Sequence, residues 1–424
     1  MIRSLILFLI CSSWIYAQDM VSPTPLQQAI KTESSLIKDQ LISLRRDLHQ
    51  HPEIAGNEKR TSAVISKLLN DLGLEVHEAV GGYGVVGILK TDKPGKHIAW
   101  RADIDALSTN LEEDPADFKS VNKGVRHICG HDVHTTIALG IAHSLTQLKA
   151  QLSGTYYFVF QPAEENITGA KAMLDDGLLD LIQPDEFFAL HMTPFPTGIV
   201  ATKPGELYAH YKKVVVRLDT QDPKIIDAVK EQMRTLTTVK DTMFGKDSSF
   251  EDPIKGIVGT ESIYQKYSFR ESDIWAQQEG EQTILHTYYS FSDDAALSDA
   301  GLQLQNLFDH EELSTYIKSC DFEPVSYVLK NHPETTRAAL ETLQQQFPQQ
   351  TLELSGVFPG GRSDDFALFL DKVPGTYFFV GATDVEKNII AMPHAPFFQV
   401  DEKVIGQSVE IFGWLMAKRA RSPR

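Results

Sequence analysis

The sequence predicts an α/β fold in which a mainly parallel sheet is covered by helices and carries an inserted, smaller α+β unit. Three observations predict it. Short β-rich runs alternate with helical ones along most of the chain, and strand runs such as TYYFVF and TYFFVG are apolar throughout instead of alternating. Between about Lys212 and Tyr327 the texture changes to half-exposed strands and amphipathic helices. Continuous apolar strands need cover on both faces, the habit of parallel sheets flanked by helices. At 424 residues the chain also exceeds the usual ~100–200 residues of one domain.

The elements follow in order. Met1–Ala17 (MIRSLILFLICSSWIYA) places Arg3 before an apolar run from Leu5 to Ile10 and ends on a small residue. This is the layout of a secretory signal cleaved near Ala17, which implies a secreted or periplasmic protein. The run is too short for the ~20 apolar residues of a membrane span, and no later segment supplies one. Ile10 precedes Cys11 where lipidation needs a small residue, so cleavage leaves Cys129 and Cys320 as the mature cysteines. Residues 26–75 carry helical periodicity and stop at Gly73. Strands are expected at Leu74–Val80, Gly84–Lys90, His97–Asp103, Thr155–Gln161, Glu186–His191 and Thr376–Gly381, with helices at His134–Leu148 and Arg337–Gln346.

Two catalytic segments, 18–210 and 328–424, thus flank an insertion at 211–327. Within it KVVVRLD reads as a strand, PKIIDAVKEQMRTL as a helix, IKGIVGT and TILHTYYSF as strands, and Ala295–Phe308 as a helix. The order is β-α-β-β-α, closed by a last strand, while Thr242–Pro253 reads as a loop. Forty Lys and Arg against 57 Asp and Glu give a formal charge of −17, the wrong sign for neutralising phosphates, so nucleic acid is not an expected partner.

In open α/β sheets ligands bind beyond the carboxyl ends of strands, and the polar residues collect there. Asp103 and Asp105 follow one strand in RADIDAL; RHICGHDVHTT packs His127, Cys129, His131, Asp132 and His134 ahead of an apolar helix. QPAEEN places Glu164 and Glu165 after another strand, His191 ends a third, and His394 stands in MPHAPFF. Any one of these residues alone is most often structural. Together, thiolate, imidazole and carboxylate make a ligand set suited to Zn and usable by Mn, Co or Ni. Adjacent residues in extended backbone point to opposite sides, so one of Glu164 and Glu165 can ligate while the other handles a proton. A serine nucleophile finds no support, since G-x-S-x-G is absent, and H-E-x-x-H is absent too. GYGVVG at Gly82–Gly87 runs into a strand instead of opening a helix, so it is a turn and not a dinucleotide site.

RRDLHQHPE, RADIDAL, HICGHDVHT, QPAEE, the strand ending in His191-Met192, GRSDDFALF, VPGTYFFVG and PHAPFFQVDE resemble, in order, the motifs of the metal-dependent N-acyl-amino-acid amidohydrolases. That group includes hippurate hydrolases and indole-acetyl-amino-acid hydrolases, among the aminoacylase and carboxypeptidase-type metallopeptidases. The resemblance implies two divalent metal ions, Zn or Mn first, held by Cys129, His131, Glu165, His191 and His394, with Glu164 as general base. It implies supporting roles for Asp103 and Asp105, and for His134 a place on the motif that caps or supports the turn. The substrate implied is a small N-acyl amino acid or a short peptide, and the alternatives are a dipeptidase or carboxypeptidase on the same core, or a metal-binding homologue impaired in catalysis.

The insertion departs from the family pattern. Family lids carry a G-x-G-G-H segment, whose His stabilises the oxyanion, and an N-x-x-P-D turn; here RLDTQDPKIIDAVKEQM follows the first strand with neither. His210 and His286 are the histidines in or beside the lid to examine. An oxyanion donor is worth about 3–4 kcal/mol in other hydrolases. Such lids often build a homodimer, and the divergence removes the usual support for one.

Overall fold

The computed structural model describes residues 23–110, 114–239, 248–360 and 363–422. The expected signal segment, including Cys11, lies outside the described residues, as do 242–247 of the expected Thr242–Pro253 loop and the first two residues of GRSDDFALF. No described helix is long and apolar enough to cross a membrane.

The longer helices are α1 (Pro25–Gln50), α2 (Lys59–Asp71), α3 (His131–Gln147), α4 (Pro223–Thr235), α5 (Asp294–Gln305), α6 (Pro333–Gln346) and α7 (Lys403–Ala420). The main sheet takes β1 (Glu75–Val80), β2 (Gly84–Lys90), β3 (His97–Asp103), β4 (Thr155–Gln161), β5 (Glu186–Pro196) and β6 (Val200–Thr202) from before the insertion. The insertion supplies β7 (His210–Leu218), β8 (Ser268–Arg270), β9 (Trp275–Glu279), β10 (Gln282–Phe291) and β11 (Ile317–Pro324). After it come β12 (Thr351–Glu353) and β13 (Gly375–Thr383), which return to the main sheet.

The 8-stranded main sheet runs β1-β2-β4-β3-β5-β13-β6-β12. Its centre is parallel: β4 with β3, β3 with β5, and β5 with β13. Alternation explains why these strands are apolar at every position. Phe158, Phe188 and Phe378 face one core with Trp100, while their neighbours Val159, Phe187 and Phe379 face a second core with Met173 and Phe366. The first core is covered by α1, α3 and α7, which pack against one another. α1 opens with Thr24 accepting from the Gln27 amide and Pro25 in the first turn, where its missing N–H costs nothing.

The insertion forms a 5-stranded antiparallel sheet, β8-β10-β7-β11, with β9 added beside β10. Val214, Val216 and Leu218 alternate on β7 toward Ile226, Val229 and Met233 of α4 and Ala300 and Leu304 of α5. The chain enters and leaves on neighbouring strands, since Lys212 of β7 pairs with Pro324 of β11. One expectation is corrected: IKGIVGT is not a strand. Asp252 Oδ1 accepts from the Ile254 and Lys255 amides at 2.8 Å each, and the Gly256 amide donates to Asp252 O at 2.8 Å. These local bonds wind the segment into turns, and a Cβ on Gly259 would lie 2.0 Å from Ile254 O. Strand pairing passes instead to β8 and to the edge strand β9, whose five residues are all exposed.

Candidate metal centre and active site

Strands β3, β4 and β5 are parallel, so their carboxyl ends open on the same side of the sheet. Asp103 ends β3 opposite Gln161 of β4, and His191 lies on β5 beside Phe379 of β13. α3 starts at His131, directly after Cys129 and the left-handed Gly130 (φ 100°). The predicted ligands therefore converge on one rim from four places in the chain, Cys129 and His131 sharing one turn.

Cys129 sits between two donor groups. Its Sγ is 3.2 Å from His191 Nε2 and 3.2 Å from His394 Nε2, and His394 Nε2 is 3.5 Å from Glu165 Oε2. One group is Cys129, His131 and His191; the other is Cys129, Glu165 and His394. His131 Nε2 faces Glu165 Oε1 at 3.7 Å and Glu164 Oε2 at 3.8 Å. Ligand bonds of about 2.0–2.3 Å around a tetrahedral ion space its donors roughly 3.3–3.8 Å apart, so these separations suit a cation between them.

Two further observations fit a metal. His131 Nε2 and Glu165 Oε1 are buried with no hydrogen-bond partner, a state that costs roughly 1–3 kcal/mol per atom unless something binds there. The rings are also turned to offer lone pairs. His131 Nδ1–H donates to Asp105 O at 2.9 Å, and His191 Nδ1–H donates to Met192 O at 2.8 Å, leaving both Nε2 atoms bare. Burial pushes the Cys129 thiol well up, with Glu165 adding to it, so its thiolate needs a compensating cation.

The supporting residues resolve cleanly. Asp105 holds both His131 and the Glu165 backbone, whose amide donates to Asp105 Oδ2 at 2.9 Å. His134 has no free nitrogen: Nδ1–H donates to Asp103 Oδ1 at 2.6 Å and Nε2 accepts from the Met192 amide at 2.9 Å. It supports the wall of the site and leaves ligation to its neighbours. Glu164 and Glu165 are pushed in opposite directions. Burial, then the Asp364 charge, raises Glu164 well above the usual carboxylate range; Glu165, despite its burial, is held low by His394 and His131. A neighbouring pair split this way gives one carboxyl that binds a proton readily and one that stays ionised.

A model of the family described as Peptidase family M20/M25/M40 matches residues 99–418. The chain belongs to that family. It is a hydrolase acting on amide bonds. Among relatives, thermostable carboxypeptidase 2 of Saccharolobus solfataricus is 31% identical over 90% of this chain and 95% of its own length. N-acetyldiaminopimelate deacetylase of Streptococcus gordonii is 30% identical over 88% of this chain and 96% of its own. The crystal structure of the Bacillus subtilis YXEP protein, described as a dinuclear metal binding peptidase from the M20 family, superposes with a TM-score of 0.71. It has 26% sequence identity and covers 91% of this chain and 99% of that one.

Beneath the candidate ligands, this M20 family member carries a buried network that sequence reasoning missed. Arg101 donates to Gln161 Oε1 at 2.8 Å, to Asp103 Oδ2 at 2.6 Å and to Asp364 Oδ2 at 3.1 Å, and Tyr377 donates to the same Asp364 oxygen at 2.6 Å. Asp365 accepts from Gln161 at 2.6 Å and from the Ala170 amide at 2.8 Å, and burial lifts it to about 7 against the pull of Arg101. The network locks Asp103 from below. Its members stand in RADIDAL, QPAEE, GRSDDFALF and VPGTYFFVG, but nothing local says that both aspartates of GRSDDFALF are buried.

The lid histidines of this family member lie elsewhere. His210 Nε2 is 3.7 Å from Asp294 Oδ1 at the root of the insertion, and the His286 ring packs 5.5 Å from Trp275 on its sheet. Among the described residues, neither is hydrogen-bonded or ion-paired to a metal-ligand candidate. Glu206, His210 and Asp294 could group around a cation, but Lys330 already occupies that role, 2.7 Å from Glu206 and 3.8 Å from Asp294.

His127 carries a pH prediction. Both its ring nitrogens are buried without partners, and burial drives it down to about 3, opposed by Asp132. The unfolded chain protonates it near 6.5, so its effect on stability is nil above that pH. Stability is then lost as pH falls from about 6.5 toward 3, at about 1.4 kcal/mol per pH unit. In metal-free protein, denaturant unfolding at pH 7 and pH 5 is expected to show His127→Gln losing about 1–2 kcal/mol less than the parent over that interval. Equal losses would contradict a neutral, buried His127.

Proposed function

We propose that this chain is an exported, metal-dependent amidohydrolase that removes an N-acyl group from an amino acid or short peptide, a hippurate hydrolase-like activity. The observation that carries the reading is the Cys129-centred pair of donor groups with Glu164 at their edge, 6% exposed. When bound, two divalent ions, zinc or manganese, supply Lewis acidity toward a carbonyl and a lower pKa for water. The protein's own part is to bring the amide to the rim beside His394 and to move one proton. Glu164 takes it from the attacking water and returns it to the departing amine. Export rests on the Met1–Ala17 segment.

Two findings favour rival readings. The relatives named carboxypeptidases favour cleavage of a C-terminal residue, and the lack, among the described residues, of a hydrogen bond or ion pair from His210 or His286 to a candidate ligand favours a homologue that binds without turnover. One experiment separates all three. The chain from Gln18 onward is stripped with a chelator, reloaded with Zn or Mn, and offered N-acyl amino acids, N-acetyldiaminopimelate and dipeptides. Stripping is expected to abolish turnover and reloading to restore it, on acyl amino acids before dipeptides. Full activity at zero metal content would overturn the metal-dependent reading. Dipeptides as best substrates would select the carboxypeptidase, and metal uptake without any turnover the binder.

A further inference from the structure

The turn that carries Glu164 and Glu165 is held in an unfavourable conformation. Ala163, directly before them, has φ 53°, and Ile167, just after, has φ 60°. Left-handed backbone costs a residue with a Cβ on the order of 1–2 kcal/mol, and persists only where neighbours enforce it.

Asp105 holds the Glu165 amide of this turn, and a second side chain from outside the motif holds its Ala163 end. Glu58 is 0% exposed, and its Oε1 accepts from the Ala163 amide at 2.8 Å and from the Gly56 amide at 2.8 Å. Its place in the chain makes this unexpected. Glu58 is the N-cap residue of α2, yet makes no side-chain cap bond to that helix. Glu53 does so in its stead, accepting from the Arg60 amide at 2.9 Å and the Thr61 amide at 2.8 Å. Capping α2 from a distance releases Glu58 to cross to the end of β4. The arrangement is costly, because Glu58 Oε2 is buried with no partner and burial raises the group's pKa. A tie needed only for stability would be cheaper with a neutral acceptor.

We propose that Glu58 is a positioning residue: by holding the Ala163 amide it fixes the left-handed turn that aims Glu164 at the attacking water. The proposal rests on Glu164 being the general base. A misplacement of about 1 Å in such a group costs up to roughly 100-fold in rate.

Kinetics, metal content and thermal unfolding of the metal-loaded full-length mature chain test it. Glu58→Ala is expected to lower kcat about 10- to 100-fold, with KM within threefold and the metal content of the parent retained. Glu58→Gln keeps an acceptor oxygen and is expected to recover most of the loss. Should Glu58→Ala fail to fold, Glu58→Asp, whose carboxylate stops one methylene short of the Ala163 amide, is expected to lower kcat at unchanged KM. A folded, metal-loaded Glu58→Ala with kcat within twofold of the parent, a Gln variant as impaired as Ala, or a folded Glu58→Asp variant at parental kcat would each overturn the proposal. If the parent and Glu164→Gln turn over alike, the underlying assignment of the base has failed, and the proposal with it.

Discussion

Glu164→Gln is expected to lower kcat by roughly 100- to 10,000-fold while metal content and folding stay at parental levels. The substitution keeps the shape and the oxygen facing His131 but removes the group that accepts a proton. Glu164 is suited to that role by its surroundings: it is 6% exposed, and burial together with Asp364 and Glu165 raises its affinity for a proton. Its carboxylate lies 3.8 Å from His131 Nε2, within reach of anything bound between the two donor groups. Single-turnover assays on metal-loaded protein measure the chemical step directly. Turnover surviving the substitution would remove Glu164 from the mechanism and leave its burial unexplained.

Cys129→Ser is expected to lose both metals, not one. The thiol stands 3.2 Å from His191 Nε2 and 3.2 Å from His394 Nε2, so each donor group is left with two protein ligands once it is gone. A serine hydroxyl is a poor replacement for thiolate at neutral pH. Metal content by mass spectrometry should fall toward zero at sub-micromolar free metal, and activity with it. Retention of one equivalent would show that the thiolate serves a single ion. The substitution itself should cost little stability in the metal-free chain, because Cys129 is then a buried neutral thiol.

The strands around the site were legible because their residues have no choice: Phe187 and Phe188, or Phe378 and Phe379, both need cover, and only a sheet sandwiched between two cores supplies it. The ligand candidates were legible because their residue types are rare at strand ends and occur there together. IKGIVGT was misread because its apolar pattern is that of a strand while Asp252, outside the segment, takes its amides. β9 was invisible for the opposite reason, as an edge strand with every residue in solvent has no burial pattern. Nothing in GNEKRT marks Glu58 as buried; its tie to the Ala163 amide is set only by the tertiary fold. The site's first layer is thus written in residue type, and the layer that aims it is written in tertiary contact.

β13 pairs with β5, Gly375 beside Phe187, and nearly half the chain lies between them. Such distant pairing is slow to form, because the closure entropy of a long loop must be met before the contact rewards it. During synthesis β5 therefore waits with an open, apolar edge until the last quarter of the protein has been made, and His394 reaches the rim later still. The candidate ligand set is therefore assembled last, once β13 has paired and the chain beyond it has been made.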